Sequence, residues 1–328
     1  MVTAPRPTAP SAAGSAPLAM PPALAPGDTV ALFSPSSHSG RDGARHLQAA
    51  HAILTGWRLR PLVLPEPQPR HLYLAGTDAE RAEAFQALYC DPAVKGLFAT
   101  RGGYGAARML PHLDAARIAA AAPKPVVGMS DVVALFGFLQ AATGVGTLHG
   151  SCLAAPSFHA SPEQAENLAD QHMWLFEPPA SAAIPCQLLQ AAPQGTVAEG
   201  RLVGGNLAVL ASQLGTPWAL ETEGCMLFLE EVNEKPYRVD RYLTQLRQAG
   251  RLDSVAGVVF GHMQNCDSEP PGLLHDVLRD LFRDAPYPVA INLPAGHGPR
   301  NRTLPLGRRA TLTWEARRDG SPATLTIG

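Results

Sequence analysis

KPVVGMSDVVALFGFLQAA, Lys124 to Ala142, opens as a short apolar run of strand type and turns at Gly128-Met129-Ser130-Asp131. It continues with Val132, Leu135, Phe136 and Leu139 at helical spacing. A serine is thereby set at a strand-to-helix turn. Such a turn lifts a hydroxyl out of a sheet and places it near the free N–H groups at the positive end of a helix, where developing negative charge is stabilised. The same residues have a plainer use, because Ser and Asp are both good N-caps and capping needs nothing else from the chain.

Upstream, strand and helix patterns alternate. Asp28 to Phe33 (DTVALF) reads as a buried strand followed by the turn Ser34-Pro35-Ser36-Ser37, and Arg41 to Ala52 reads as a helix. Trp57 to Leu64 is strand-like but broken by Pro61, and Thr77 to Tyr89 is helical with Thr77 or Asp78 as its cap. Val94 to Thr100 is a further strand. It leads into the glycine-rich turn Arg101-Gly102-Gly103-Tyr104-Gly105, where the lack of Cβ atoms lets backbone N–H groups approach an oxyanion. The turn lacks G-x-G-x-x-G and the P-loop Gly-Lys-Ser/Thr, so it is equally a tight turn using glycine for positive φ. Val145 to Gly150 is one more strand. This alternation predicts a Rossmann-like parallel sheet, with ligands at the carboxyl ends of its strands.

From Ser151 to about Ala198 the periodicity weakens. This stretch reads as a long connection with one short helix at Glu163–Leu168. The second half is a smaller, mixed α/β domain without regular alternation. It has a short strand at Gly200–Val203, a helix entered through Gly204-Gly205-Asn206, and the apolar strand Cys225–Leu229 running into Glu230-Glu231. An amphipathic helix at Arg238–Gln248, strands at Val255–Phe260 and Pro288–Leu293, and a C-terminal hairpin complete it. The expected domains are therefore 28–160, a connection at 161–198, and 199–328. Residues 1–27, rich in Pro and Ala, are expected to form a disordered tail rather than a signal peptide.

The chain has 328 residues, 46% of them apolar, with a formal net charge of -2. Nothing in this balance points to nucleic acid or an anionic membrane surface. The five cysteines, Cys90, Cys152, Cys186, Cys225 and Cys266, are scattered without a C-x-x-C pair, which fits a reduced compartment. No H-E-x-x-H or compact His/Asp/Glu cluster suggests a metal, and no cofactor is expected.

A serine hydroxyl is a weak nucleophile at neutral pH and needs a base that a carboxylate orients. Glu230-Glu231 and His297 both stand at strand ends, and the order Ser, Glu, His is that of α/β-hydrolases. Against this, Val132 takes the place of the second Gly of G-x-S-x-G. His149 and His262 also end apolar runs, and the glutamates would serve equally as solvated loop charges.

Taken together, ALFSPSS, AGTDAERAEAFQALYCDPAVKGLFATRGGYGAARMLPHLD, KPVVGMSDVVALFGFLQAATGVGTLHG, LVGGNLAVLASQLGTPW, LFLEEVNEKPYRVDRYLTQLRQAG, GVVFGHM and LPAGHGPRNRTLPLG resemble, in order, the LD-carboxypeptidases. These are serine peptidases that include muramoyltetrapeptide carboxypeptidase and the microcin C self-immunity proteins. The resemblance spans nearly everything from Asp28 onward. It places the nucleophile on Ser130, the orienting carboxylate on Glu230 and the base on His297, with Met129 where the family often has an aromatic residue and Glu231 where it often has Asp. It implies an acyl-enzyme mechanism in a cleft between the two domains, with the backbone N–H groups of Gly103 and Asp131 as oxyanion donors. Ser36, Arg101 and Tyr104 are candidates for holding the substrate carboxylate.

The implied substrate is a murein tetrapeptide or muropeptide, cut between meso-diaminopimelate and the terminal D-alanine in cytoplasmic peptidoglycan recycling. A homodimer is common in the family. The microcin branch, which hydrolyses an amide in aminoacyl-nucleotide analogues, is the nearest alternative, with Trp174 of the connection as the one indole available there to stack a base. A catalytically dead binding protein is a third reading, opposed by the intact Ser130, Glu230 and His297.

Overall fold

The computed structural model describes residues 16–64, 71–316 and 318–328. The chain divides into two units, one built on Ala19–Pro178 and one on Pro179–Gly328.

The first unit follows the alternation read from the sequence. Its strands are β1 (Thr29–Phe33), β2 (Arg60–Val63), β3 (Val94–Ala99), β4 (Val126–Gly128) and β5 (Thr147–His149). Its helices are α1 (Gly43–Gly56), α2 (Asp78–Cys90), α3 (Ala106–Met109), α4 (Ala115–Ala119), α5 (Val133–Thr143), α6 (Pro156–His159) and α7 (Gln164–Phe176). The strands pair in the order β2-β1-β3-β4-β5, every pair parallel. This is a doubly wound order whose direction of growth reverses between β1 and β3, where such sheets bind ligands.

Val30, Ala31, Leu32 and Phe33 are buried, as expected of a strand covered on both faces. Pro61 is accommodated because β2 is a half-buried edge strand in this order, where a missing N–H costs little. Helix α2 begins in a reciprocal cap: Thr77 Oγ1 accepts from the Glu80 N–H, and the Thr77 N–H donates to Glu80 Oε2. Such a cap stabilises by about 1 kcal/mol.

The second unit contains β6 (Ala182–Gln190), β7 (Val197–Asn206), α8 (Leu207–Ser212), β8 (Cys225–Val232), α9 (Pro236–Gln248), β9 (Gly257–Gln264) and α10 (Leu273–Leu281). β10 (Val289–Ile291), β11 (Leu304–Leu306), β12 (Arg309–Trp314) and β13 (Pro322–Ile327) follow. Seven of these strands close into a barrel in the order β10-β6-β13-β12-β7-β8-β9. Pairs β7-β8, β8-β9 and β9-β10 are parallel and the rest antiparallel. Closure leaves these strands no open edge. Val203, Leu227, Leu229 and Phe260 pack with Val239, Leu243 and Leu246 of α9 in one core, so the amphipathic reading of α9 holds.

Three expectations change. The connection expected at 161–198 instead carries the thirteen-residue α7 and the nine-residue β6. The short helix read at Glu163–Leu168 is the start of α7, which runs on to Phe176; its length is hidden because it buries Asn167 and Gln171 beside Trp174 and Leu175, which blurs its apolar face. β6 shows its period of two only in Ile184, Cys186 and Leu188, interrupted by Pro185. The strand read at Gly200–Val203 extends over Val197–Asn206, since its glycines sit where neighbouring backbone approaches closely. Of the expected disordered tail, residues 1–15 lie outside the described residues. Leu24, by contrast, is buried and its N–H donates to the Leu175 carbonyl at 2.8 Å, a long-range partner that composition cannot reveal. Among the described residues, no helix is long and apolar enough to cross a membrane.

Candidate active site

Strand β4 ends at Gly128, and Met129 continues it in extended conformation. Ser130 then takes φ +62°, followed by a single 3-10 turn over Ser130–Val132 that runs into α5. A non-glycine residue held there costs roughly 1–3 kcal/mol and persists only where its surroundings enforce it. This has the geometry of the strained strand-to-helix elbow on which α/β-hydrolases carry their serine, formed although Val132 replaces the second Gly of the motif. The capping alternative fails, because neither Ser130 nor Asp131 caps the helix through its side chain.

The glycine turn lies against this elbow. A Cβ on Gly102 would stand 2.7 Å from Ser130 Cβ and 3.0 Å from Ser130 Oγ, so only glycine permits the approach. Gly102→Ala is therefore expected to displace the Ser130 hydroxyl and lower kcat on the order of a hundredfold with a smaller change in KM, measured by steady-state kinetics. Gly103 follows at φ +118° and lies against Ser37, whose Oγ accepts from the Tyr104 N–H at 3.2 Å.

The Asp131 side chain is nearly buried. Its Oδ2 accepts from Ser36 Oγ at 2.6 Å and from the Ala106 N–H at 2.7 Å. Burial raises its carboxyl above the usual range, opposed by those two bonds, by the Gly105 backbone and by the Arg81 charge.

In the second unit, β8 delivers two adjacent carboxylates to opposite sides, as alternation in a strand requires. Glu230 is fully buried, and its Oε2 meets His297 Nδ1 at 2.6 Å and accepts the His297 backbone N–H at 3.2 Å. Glu231 turns the other way and accepts from Asn206 Nδ2 at 3.0 Å, the Ala208 N–H at 2.8 Å and the Val232 N–H at 2.9 Å. It is a structural acceptor at the start of α8, and burial raises its carboxyl despite those bonds.

The loop that carries His297 is held by Asn301, whose Oδ1 accepts from the Gly296 N–H at 2.8 Å. A Cβ on Gly296, at φ +108°, would come within 2.7 Å of Glu230 Oε2, so glycine is needed for the imidazole to close on the carboxylate. Burial disfavours the His297 imidazolium. The Glu230 charge and hydrogen bond, with the Glu231 charge added, outweigh that and raise His297 above its ordinary 6.5. A carboxylate on Nδ1 fixes that nitrogen as the donor and leaves Nε2 as the basic one.

Of the other sequence candidates, Ser36 is corrected: it is fully buried and its hydroxyl is committed to Asp131, so it is a framework residue rather than a substrate contact. Arg101 Nη1 donates to the His38 carbonyl at 3.3 Å, while its Nε is buried without a hydrogen-bond partner among the described residues. Tyr104 is exposed beside Tyr73, with ring centroids 5.9 Å apart. Trp174 is 4% exposed within α7, which removes the stacking surface the microcin alternative relied on. His262 bonds the Arg300 carbonyl through Nε2, and the His149 side chain is fully buried. Among the described residues, no group of three or more His, Cys, Asp or Glu side chains is arranged to hold a metal ion.

Sequence reasoning missed Arg81. Its side chain donates to the carbonyls of Gly76, Pro35 and Gly105 and pairs with Asp78, which Arg108 also engages at 2.9 Å. On sequence alone it is one of several charges on a polar helix, and its burial gives no local signal.

Comparison with known proteins identifies the family. The family model described as the LD-carboxypeptidase N-terminal domain matches residues 30–150, and that of the LD-carboxypeptidase C-terminal domain matches residues 199–312. A Streptomyces coelicolor protein provisionally named a carboxypeptidase is 40% identical over 94% of this chain and 96% of its own length. The murein tetrapeptide carboxypeptidase of Pseudomonas aeruginosa is 32% identical over 75% of this chain and 81% of its own.

Among solved structures, the muramoyltetrapeptide carboxypeptidase of Oxalobacter formigenes superposes with a TM-score of 0.75 at 28% identity, covering 92% of this chain and 98% of that one. The microcin C7 self-immunity protein MccF in its wild-type apo state gives 0.80 at 25% identity, covering 94% and 98%. With both halves matched in order, the chain belongs to the LD-carboxypeptidase family and is a serine carboxypeptidase hydrolase.

Proposed function

We propose that this chain removes the terminal D-alanine from murein tetrapeptides by cutting its amide bond to the L-centre of meso-diaminopimelate, with Ser130, Glu230 and His297 acting as one triad. The observations that carry the chemistry are a strained serine at positive φ in the first unit and, within the second, an imidazole held at 2.6 Å by a fully buried glutamate. The names of the Pseudomonas and Oxalobacter relatives support the substrate.

In this mechanism His297 Nε2 takes the Ser130 proton as Oγ attacks the scissile carbonyl, and Glu230 stabilises the imidazolium. The backbone N–H groups of Asp131 and Gly103 receive the oxyanion. The imidazolium then gives its proton to the departing D-alanine amine. Water, activated by the same imidazole, releases the acyl group from Ser130. Arg101 and the exposed Tyr104 are assigned to the substrate carboxylate. The proposal includes a cytosolic enzyme of peptidoglycan recycling, working on peptide or muropeptide, with the homodimer common in its family.

The base must be neutral to accept a proton. Because His297 is raised above 6.5, kcat/KM is expected to climb with pH through a midpoint above that value. A pH–rate profile of the wild type checks this; a midpoint at or below 6.5 contradicts it.

The substrate is tested by offering the purified enzyme a meso-diaminopimelate tetrapeptide and an aminoacyl sulfamoyl adenosine in parallel. Conversion of tetrapeptide to tripeptide with the nucleotide untouched is the expected result. Hydrolysis of the nucleotide conjugate alone would move the chain to the microcin-immunity branch.

A further inference from the structure

The Gly105–Ala106 peptide group is held at both ends by buried charge. Its carbonyl accepts from Arg81 Nη1 at 2.7 Å, and its N–H donates to Asp131 Oδ2 at 2.7 Å. We propose that Asp131 and Arg81 are positioning residues which clamp this one peptide and thereby hold the Arg101–Gly105 turn in register with Ser130. The inference rests on Ser130 and the Gly103 N–H having the roles given above.

A turn containing Gly102, Gly103 and Gly105 has little conformational preference of its own, and Gly103 and Gly105 both sit at positive φ. An outside restraint is needed if a donor N–H is to stay aimed at a developing oxyanion. The clamp supplies it from two directions. Asp131 follows Ser130 in the chain, so its bond to Ala106 ties the turn to the nucleophile itself, while Ser36 fixes the same carboxylate oxygen at 2.6 Å. Arg81, 2% exposed at its side chain, anchors the opposite end to the Gly76 and Pro35 carbonyls and to Asp78. Flipping the peptide would break two charge-assisted hydrogen bonds at once.

The test joins hydrogen exchange over residues 101–107, read by mass spectrometry, to steady-state kinetics on the tetrapeptide. In Asp131→Ala, exchange in the turn is expected to rise at least about tenfold, and kcat to fall on the order of a hundredfold while KM stays within about threefold. Asp131→Asn, whose amide oxygen can accept in place of Oδ2, should recover most of both. Arg81→Lys keeps the charge but cannot serve three carbonyls together, and should fall between. A turn as protected in Asp131→Ala as in wild type, a loss carried by KM, or an Asn variant as impaired as Ala would overturn the proposal.

Should Asp131→Ala fail to fold, Ser36→Ala decides. A looser turn and lower kcat at unchanged KM support the clamp, and a rise in KM alone overturns it. If the wild type turns over no tetrapeptide, the functional reading fails on that inactivity. The clamp is then judged by exchange alone, and stands or falls on whether the turn loosens.

Discussion

Replacing Ser130 by Ala is expected to lower kcat by about a million-fold, because losing the nucleophile of a triad costs about as much as losing the whole triad. The remaining rate reflects substrate binding and oxyanion stabilisation. The variant should stay folded: the change removes one oxygen, and the elbow is held by Gly102, Asp131 and the packing of Val132 and Val133. Ser130→Gly separates chemistry from strain. It should be equally inactive yet more stable by about 1 kcal/mol, since glycine carries no penalty at φ +62°. Thermal melts of the two variants beside wild type read the difference, and a glycine variant less stable than the alanine one would mean that the elbow is not strained.

Glu230→Gln is expected to lower kcat by about ten-thousand-fold while preserving the fold. The neutral amide fits the same buried space. However, an amide that donates to Nδ1 holds His297 in the wrong tautomer, with its proton on Nε2. Removing the Glu230 charge also leaves burial less opposed at His297, so the midpoint of the acid limb should drop.

The sign for stability follows. A histidine raised in the folded state contributes stability in full below its unfolded value of 6.5, and that contribution is lost as pH rises through the folded value. Glu230→Gln should thus lose stability relative to wild type below pH 6.5, with the gap narrowing on the alkaline side. Denaturant melts at several pH values, run with the pH–rate profile, check both statements.

The first unit was largely legible in the sequence because strands such as β1 and β4 are buried apolar runs that end at small-residue turns. Ser130 and the glycine turn were visible for this reason. That they touch was not, since the contact between Gly102 and Ser130 depends on β3 lying beside β4. The barrel was not legible: a cycle of mixed parallel and antiparallel pairs leaves no local period, and β6 and β7 hide among Pro, Gly and Gln.

Glu230 and His297 were nominated by position at strand ends and by family resemblance. Their pairing, and the opposite orientation of Glu231, come from the register of β8 and the Gly296 turn. Ser36 was misassigned because a serine at a strand end looks the same in sequence whether it faces a ligand or a buried aspartate. Arg81 was overlooked because nothing near it in the chain shows that it also reaches the distant Pro35 and Gly105 carbonyls.

The central claim is that Ser130 and the Glu230–His297 pair form one catalytic unit. It is tested most directly by D-alanine release from an isotopically labelled meso-diaminopimelate tetrapeptide, followed by mass spectrometry for wild type, Ser130→Ala, Glu230→Gln and the double variant. The account predicts release by wild type and a double variant no slower than Ser130→Ala alone, within about threefold, because the glutamate has nothing left to serve once the nucleophile is gone. No release by folded wild type, or a Glu230→Gln penalty as large without Ser130 as with it, would contradict the account.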